Sequence, residues 1–450
     1  MNAKTSIKQS LLIFLSTCCS AAPENCKAQS GWTEDECIVY AIEHNLRIRN
    51  KQLDAKMANA DIVTAYGSFL PSIHTIGALG KQFGHSIDPR TNQYTSESFL
   101  EGTIALNISL PIFEGFSRIH RLQFYKWNKR ISKLASKVEE NRLAFEVLEA
   151  FYRYCFDKEI HGLAIEQRKL SEYYCEQIRE YVELGMRSHA DLQEVKARLQ
   201  SDIYQETVKS NSRHLSLWAL KELMNMKEAD TLSVLIADEA METTACPLNF
   251  DELYSASEAI LPEFHIMKMK EKASRESASM ANGALYPSIR MEFNLNTGYY
   301  DTEKNDYGSM APFREQLNRN MNKYIGICVS LPLFSGLSHF GSIRKGKLRL
   351  QQVENENEQK RLSLYERIHE AHLSFMAAHQ EHQLAKEQLR ADSITWKEGE
   401  EKWKEGMISV FELLEKRNRY IRGKTEMVRT KLQYKLKKRM IRFYQKGTFL

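Results

Sequence analysis

Leu110-Pro111-Ile112-Phe113-Glu114-Gly115 returns as Leu331-Pro332-Leu333-Phe334-Ser335-Gly336, which carries Pro111 onto Pro332 at an offset of 221. The same offset carries Gly185-Met186 onto Gly406-Met407, Ser188 onto Ser409 and Leu192 onto Leu413. Upstream, Leu70-Pro71-Ser72-Ile73 matches Tyr286-Pro287-Ser288-Ile289 at an offset of 216. Matched order at fixed spacing marks an internal duplication. The spacing holds through the segments after each Leu-Pro motif and changes only before it, so the two later segments must span one distance.

Those later segments are free of helix breakers. All nine prolines avoid residues 112–246 and 333–450, and proline breaks helix interiors. Ile131, Leu134, Val138, Phe145, Leu148, Tyr152 and Cys155 keep a heptad spacing in which Asn141 is the one miss,. This predicts one helix from about Arg118 to Leu184, ~100 Å long at the usual rise, which needs a partner helix along its length. Gly185 and Gly406 mark the turns where the chain reverses. Earlier helices are expected at about 33–66 and 250–282. The organisation is therefore repeat 1 (32–230), a linker (231–249) and repeat 2 (250–445), each reading helix, strand, loop, strand, long helix, tight turn, long helix.

Between the helices the sequence alternates. Leu100, Gly102, Ile104, Leu106, Ile108 and Leu110 face one way, with Glu101, Thr103, Ala105, Asn107 and Ser109 facing the other. Ile289, Met291, Phe293 and Leu295 oppose Arg290, Glu292, Asn294 and Asn296, and Ile325, Ile327, Val329 and Leu331 oppose Tyr324, Gly326, Cys328 and Ser330. A glycine-rich fourth strand is expected at about 73–84. Alternation over about 10 residues is the mark of transmembrane β-barrel strands, so the stretches about 70–111 and 285–332 are read as membrane barrel. Four strands cannot close such a barrel. Open edges in lipid leave unpaired backbone groups, so the chain must combine with other subunits. The fold class expected is mainly α with a small transmembrane β portion.

Bulk properties narrow the class further. The chain has 450 residues, 42% hydrophobic and 27% charged, with a mean hydropathy of −0.49. No stretch approaches the ~18 apolar residues of a membrane helix. The N-terminus reads as a secretory signal, with Lys4 and Lys8 ahead of an apolar run from Leu11 to Thr17,. Cleavage after Ala28 fits the small-x-small rule, and cleavage after Ala21 is the alternative. A lipoprotein signal would use Leu15-Ser16-Thr17-Cys18, against which Thr17 argues by its size. The net charge is +5, too mild to argue for nucleic acid. Beyond the signal stand Cys37, Cys155, Cys175, Cys246 and Cys328, an odd set without a CxxC pair. They are read as buried small hydrophobes.

No phosphate loop, dinucleotide fingerprint or nucleophile elbow occurs, so no enzyme and no cofactor is expected. His369, His372, His379 and His382 share a helix without a completing ligand set and are read as a solvated face. The basic run Lys435, Lys437, Lys438, Arg439 and Arg442 is read as a solvated final helix.

The duplicated Leu-Pro-x-Phe-x-Gly resembles the TolC family of outer-membrane efflux proteins, as do the two tips. These are Tyr181 to Met186 with Ser188 and Asp191-Leu192, and Trp403 to Met407 with Ser409 and Glu412 to Glu415. The resemblance covers about residues 32–440. It implies a homotrimeric twelve-strand barrel above an α-helical barrel, acting as a passive duct in the outer membrane of a Gram-negative bacterium, in contact with outer-membrane lipid. It implies a periplasmic adaptor and an inner-membrane RND or ABC pump as partners in efflux or type I secretion. It implies adaptor docking at Leu184, Gly185, Met186, Glu405, Gly406 and Met407, and an acidic pore entrance at Glu412 and Glu415, with Asp191 and Glu194 after the first tip. Ile408 stands where the family often has a basic residue, which leaves the closing network to others such as Arg187 or Lys402. The competing reading is a secreted periplasmic coiled-coil scaffold without a pore.

Overall fold

The computed structural model describes residues 31–87, 93–96, 98–227, 232–235, 249–303 and 309–449. The expected signal segment, Cys246 and most of the 231–249 linker lie outside the described residues. In chain order the elements are α1 (Glu34–His44), α2 (Leu46–Gly67), β1 (Ser72–Gln82), β2 (Ser86–Ile87), β3 (Tyr94–Thr95), β4 (Phe99–Glu114), α3 (Ser117–Glu183) and α4 (His189–Leu223). The second half continues with α5 (Phe250–Ile260), α6 (Pro262–Asn282), β5 (Ser288–Tyr300), α7 (Phe313–Arg319), β6 (Asn322–Ser330), α8 (Ser338–Lys404) and α9 (Val410–Lys446). Helices α3 and α8 are each 67 residues long. Ser117 maps onto Ser338 and Glu183 onto Lys404, the same offset that relates the motifs preceding the two helices.

The Leu-Pro-x-Phe-x-Gly motif has a backbone cause. Gly115 and Gly336 take left-handed angles (φ +56° and +59°), and each is followed by a second left-handed residue, Phe116 or Leu337, both at φ +65°. Two such residues in succession turn the chain from strand into long helix, and glycine adopts the first at no steric cost. At Gly115 a Cβ would also meet the carbonyl oxygen of Gly283 at 2.1 Å.

The chain divides into two compact units, with boundaries at Ala41/Ile42, Glu146/Val147 and Thr244/Ala245. The first holds the hairpin of the later part of α3 with α4. Val147, Leu148, Phe151, Cys155, Tyr174 and Ile178 are buried there, as are Val195 and Leu220 of α4. Trp32 forms an isolated parallel bridge with Val234. Tyr152 donates to Glu34 at 2.5 Å.

The second unit holds the sheet and the α8–α9 hairpin. Along α8 the buried residues run Leu364, Ile368, Ala371, Phe375, Ala378, His382, Ala385, Asp392, Gly399 and Trp403. These steps of three, four and seven are heptad core positions. Burial of each large apolar member contributes about 1.5–3 kcal/mol. All strand pairs of the four-stranded sheet, ordered β1-β4-β5-β6, are antiparallel.

Four expectations are corrected. The helices expected at 33–66 and 250–282 are each broken in two. Asn45 starts a new helix by accepting the N–H of Arg47 at 2.8 Å, and Pro262 occupies the first position of α6, where its missing donor costs nothing. His382 is buried at 2% exposure and stacks on Tyr434 rather than facing solvent. Lys435, Lys437, Lys438, Arg439 and Arg442 are half-buried along α9. Among the cysteines, Cys37, Cys155 and Cys175 are buried as expected, but Cys328 is exposed.

Candidate functional site

Register assigns every sheet side chain to a face. Ile73 pairs with Ile108, Ile108 with Phe293 and Phe293 with Ile325. Parallel rows join Thr75, Leu106 and Leu295, and Leu110, Met291 and Ile327. This face is apolar in these rows except for Thr75 and, at the β6 end of the second row, Lys323, the partner of Leu295. On the opposite face His74, Asn107, Asn294 and Tyr324 form one row, and Ser72, Ser109, Glu292 and Gly326 another. Every residue of β1 is exposed, and β6 is nearly so. Both edge strands therefore present unpaired backbone groups, which water tolerates and hydrocarbon does not. The apolar face continues past a bulge at Pro111/Phe113. There Phe113 meets Phe116 edge to face at 5.1 Å, and Phe116 lies 6.4 Å from Tyr286. Phe334 and Phe340 are exposed after β6. Aromatic side chains in this position suit the boundary between hydrocarbon and water.

The two hairpin tips repeat one geometry in their separate units. After α3, Gly185 has φ +72°, its N–H donates to Val182 at 3.0 Å, and the Met186 N–H donates to Tyr181 at 2.8 Å. After α8, Gly406 has φ +74°, its N–H donates to Trp403 at 3.0 Å, and the Met407 N–H donates to Lys402 at 2.8 Å. This paired-bond ending satisfies carbonyls that a helix terminus would otherwise leave open. Ser188 and Ser409 then cap the following helices by accepting from Asp191 and Glu412. The tips expose apolar side chains: Leu184 is 69% exposed, Met186 69% and Met407 67%. Sequence reasoning missed Phe411, which is 63% exposed one residue into α9. Ile408 is half-buried.

The four acidic candidates differ in what holds them. Glu412 and Glu415 share an exposed face of α9, opposite buried Leu413 and Leu414. Glu194 is likewise exposed. Asp191 is engaged: its carboxylate accepts the Ser188 N–H at 3.2 Å, completing a capping box,.

Among the described residues no group of three or more His, Cys, Asp or Glu is placed to hold a metal ion, and no helix is long and apolar enough to cross a membrane. Burial, then nearby glutamates, pushes the Cys37 thiol up to about 12. Burial does the same to Cys155, also to about 12. Both thiols stay protonated, which suits packing rather than nucleophilic chemistry.

No family sequence model matches the chain, and no curated protein sequence matches it. Solved structures do. The fold superposes on a crystal structure of CusC over 92% of this chain and 91% of that one, with TM-score 0.78 and 13% identity. The outer-membrane channel CmeC of Campylobacter jejuni matches over 92% and 85%, with TM-score 0.77 and 14% identity. The outer-membrane protein VceC of Vibrio cholerae matches over 93% and 97%, with TM-score 0.76 and 11% identity. The chain has the fold of the TolC-like outer-membrane channels.

Proposed function

We propose that this chain is one subunit of a homotrimeric outer-membrane efflux or secretion channel, a passive duct rather than an enzyme. The observation that carries the reading is the sheet, largely apolar on one face, polar on the other and open at both edges. A sheet so built is satisfied when its apolar face meets lipid, its polar face meets water and its edges meet other copies. Strand order supports closure. With four strands in alternating directions, β6 of one copy runs antiparallel to β1 of the next, so three copies would form a continuous twelve-strand barrel. The similar structures bear the descriptions outer-membrane channel and transmembrane channel.

In this reading the chain resides in the outer membrane of a Gram-negative bacterium, and its long helices extend the duct into the periplasm. The exposed apolar tips, Leu184-Gly185-Met186 and Glu405-Gly406-Met407, receive a periplasmic adaptor that links the duct to an inner-membrane RND or ABC pump. Glu412 and Glu415 line the entrance, with Glu194 and the capped Asp191 on the first hairpin. Repeated around a threefold axis, such carboxylates favour cations.

Membrane fractionation of the full chain tests the reading. The channel cofractionates with the outer membrane, resists alkaline extraction and migrates as an oligomer until heated. A chain that washes off as a water-soluble monomer would instead be the coiled-coil scaffold.

A further inference from the structure

The two hairpins carry four equivalent positions at which the buried acid changes helix. At the offset of 221, Gln167, Ser171, Arg198 and Asp202 map onto Gln388, Asp392, Arg419 and Gly423. They sit in a longer echo, since His161, Leu163, Ala164, Glu166 and Gln167 recur as His382, Leu384, Ala385, Glu387 and Gln388.

In the first hairpin the acid is on the second helix. Asp202 of α4 is 1% exposed. Ser171 of α3 donates to its Oδ2 at 2.5 Å, and Gln167 of α3 donates to its Oδ1 at 3.0 Å. Arg198, one turn before it on α4, places Nη2 3.3 Å from Oδ1. In the second hairpin the acid is on the first helix. Asp392 of α8 is 2% exposed and occupies a heptad core position seven residues after Ala385. Arg419 of α9 places Nε 2.7 Å from its Oδ1, but the approach is off the N–H line, and neither carboxylate oxygen has an aligned hydrogen bond. Facing it is Gly423, where a Cβ would come 3.0 Å from Asp392 Oδ2. The acid and the small residue have traded helices, while the arginine and glutamine kept their places.

We propose that each hairpin carries a register clasp at these positions, a buried carboxylate reached by the arginine of the second helix, with the carboxylate supplied by opposite helices. A charge at a heptad core position is costly unless its partner stands opposite. Sliding the helices by one turn would carry the acid ~5 Å from its partners and set it against apolar side chains. A polar core residue of this kind selects one register among several that apolar packing tolerates. Ser171 precedes Gly185 by the same separation as Asp392 precedes Gly406, so the clasp fixes how far each tip projects. The inference rests on the hairpins alone and holds whether or not the chain forms a pore.

The trade can be reversed. Gly423→Asp alone sets two buried carboxylates together, and amide exchange of the full chain across 385–395 should become at least about tenfold faster. Adding Asp392→Ser should return exchange to within about threefold of the parent, because Arg419 occupies the position from which Arg198 serves Asp202, and Gln388, exposed in the parent, occupies that of Gln167,. The mirror series, Ser171→Asp without and with Asp202→Gly, should show the same damage and rescue across 165–175, and it decides the matter where Gly423→Asp alone does not fold. A position that only packs would be harmed equally by Gly423→Asp in either background. Double variants that exchange as fast as the single ones in both hairpins, or a Gly423→Asp without effect, would overturn the proposal.

Discussion

The Met407 N–H donates to the Lys402 carbonyl at 2.8 Å, reaching back across Gly406 in a left-handed conformation. That bond ends the long helix α8 and frees the chain to reverse within a few residues. Nothing lies within 4 Å of a Cβ built on Gly406, so backbone conformation alone decides what the position tolerates. Gly406→Ala should cost about 1–2 kcal/mol, and Gly406→Asn distinctly less, because asparagine visits the left-handed region more readily. Amide exchange at 400–410 measures the difference. Equal effects of the two variants would mean that the turn does not depend on this conformation.

The acids near the tips differ in what holds them, and the proposed entrance role divides accordingly. Asp191 completes the capping box of α4 by accepting the Ser188 N–H, so Asp191→Ala, which removes both that acceptor and the charge at the helix start, should cost about 0.5–1 kcal/mol of helix stability. Glu412 and Glu415 are exposed and lie on one helix face, so replacing both with Gln should leave stability within about 0.5 kcal/mol. In a bilayer recording the same double variant should lower cation preference and weaken block by multivalent cations. Unchanged selectivity would remove these residues from the entrance.

Much of this architecture was legible in the sequence because its causes are local. Gly185 and Gly406 mark the left-handed turns at the tips, and strict alternation fixed the faces of β4, β5 and β6. The breaks at Asn45 and Pro262 also had local signals, a cap residue and a proline, which the expectation of single helices over 33–66 and 250–282 passed over. The burial of His382 and Asp392 was less accessible. Polar residues at heptad core positions look like solvated ones until the opposing helix is placed, since what makes them tolerable is Tyr434 or Arg419 on α9. The echo of His161 to Gln167 in His382 to Gln388 was the available signal. Aligned at the offset of 221, it marks these positions as shared by both hairpins.

His382 gives the second hairpin a dependence on pH. Its ring is buried, stacked on Tyr434, with Thr430 Oγ1 3.5 Å from Nδ1. Burial first, then Lys386, Lys431 and His379, hold it below the usual imidazole range. The neutral ring is thus favoured in the fold, and the unfolded chain takes up the proton at higher pH. The contribution is fully present above about 6.5 and declines as pH falls below that value toward the folded one. His382→Gln, which cannot titrate, should flatten this part of the stability profile between about pH 6.5 and 5. Thermal unfolding of parent and variant across that range reads it out. Identical slopes would show that the ring titrates as freely in the fold as outside it.

Cys328 offers a direct test of how the sheet is completed. It is exposed on the polar face of β6, at one edge of the sheet. The other edge is β1, whose polar face carries Ser72, His74, Ile76, Ala78, Gly80 and Gln82. If β6 of one copy pairs with β1 of the next, one of these positions lies opposite Cys328, close enough for a disulfide, since directly opposed residues in antiparallel strands have Cα atoms about 4.5–5.5 Å apart. Ser72→Cys, His74→Cys, Ile76→Cys, Ala78→Cys, Gly80→Cys and Gln82→Cys, made singly and oxidised in membranes, should include at least one that yields covalent dimer and trimer on denaturing gels. Thr75→Cys and Gly77→Cys, on the apolar face, should not. Bridging from both faces alike would point to random collision. An oligomer that shows no bridge from any polar-face position would mean that these two edges do not meet, and the twelve-strand closure would have to be abandoned.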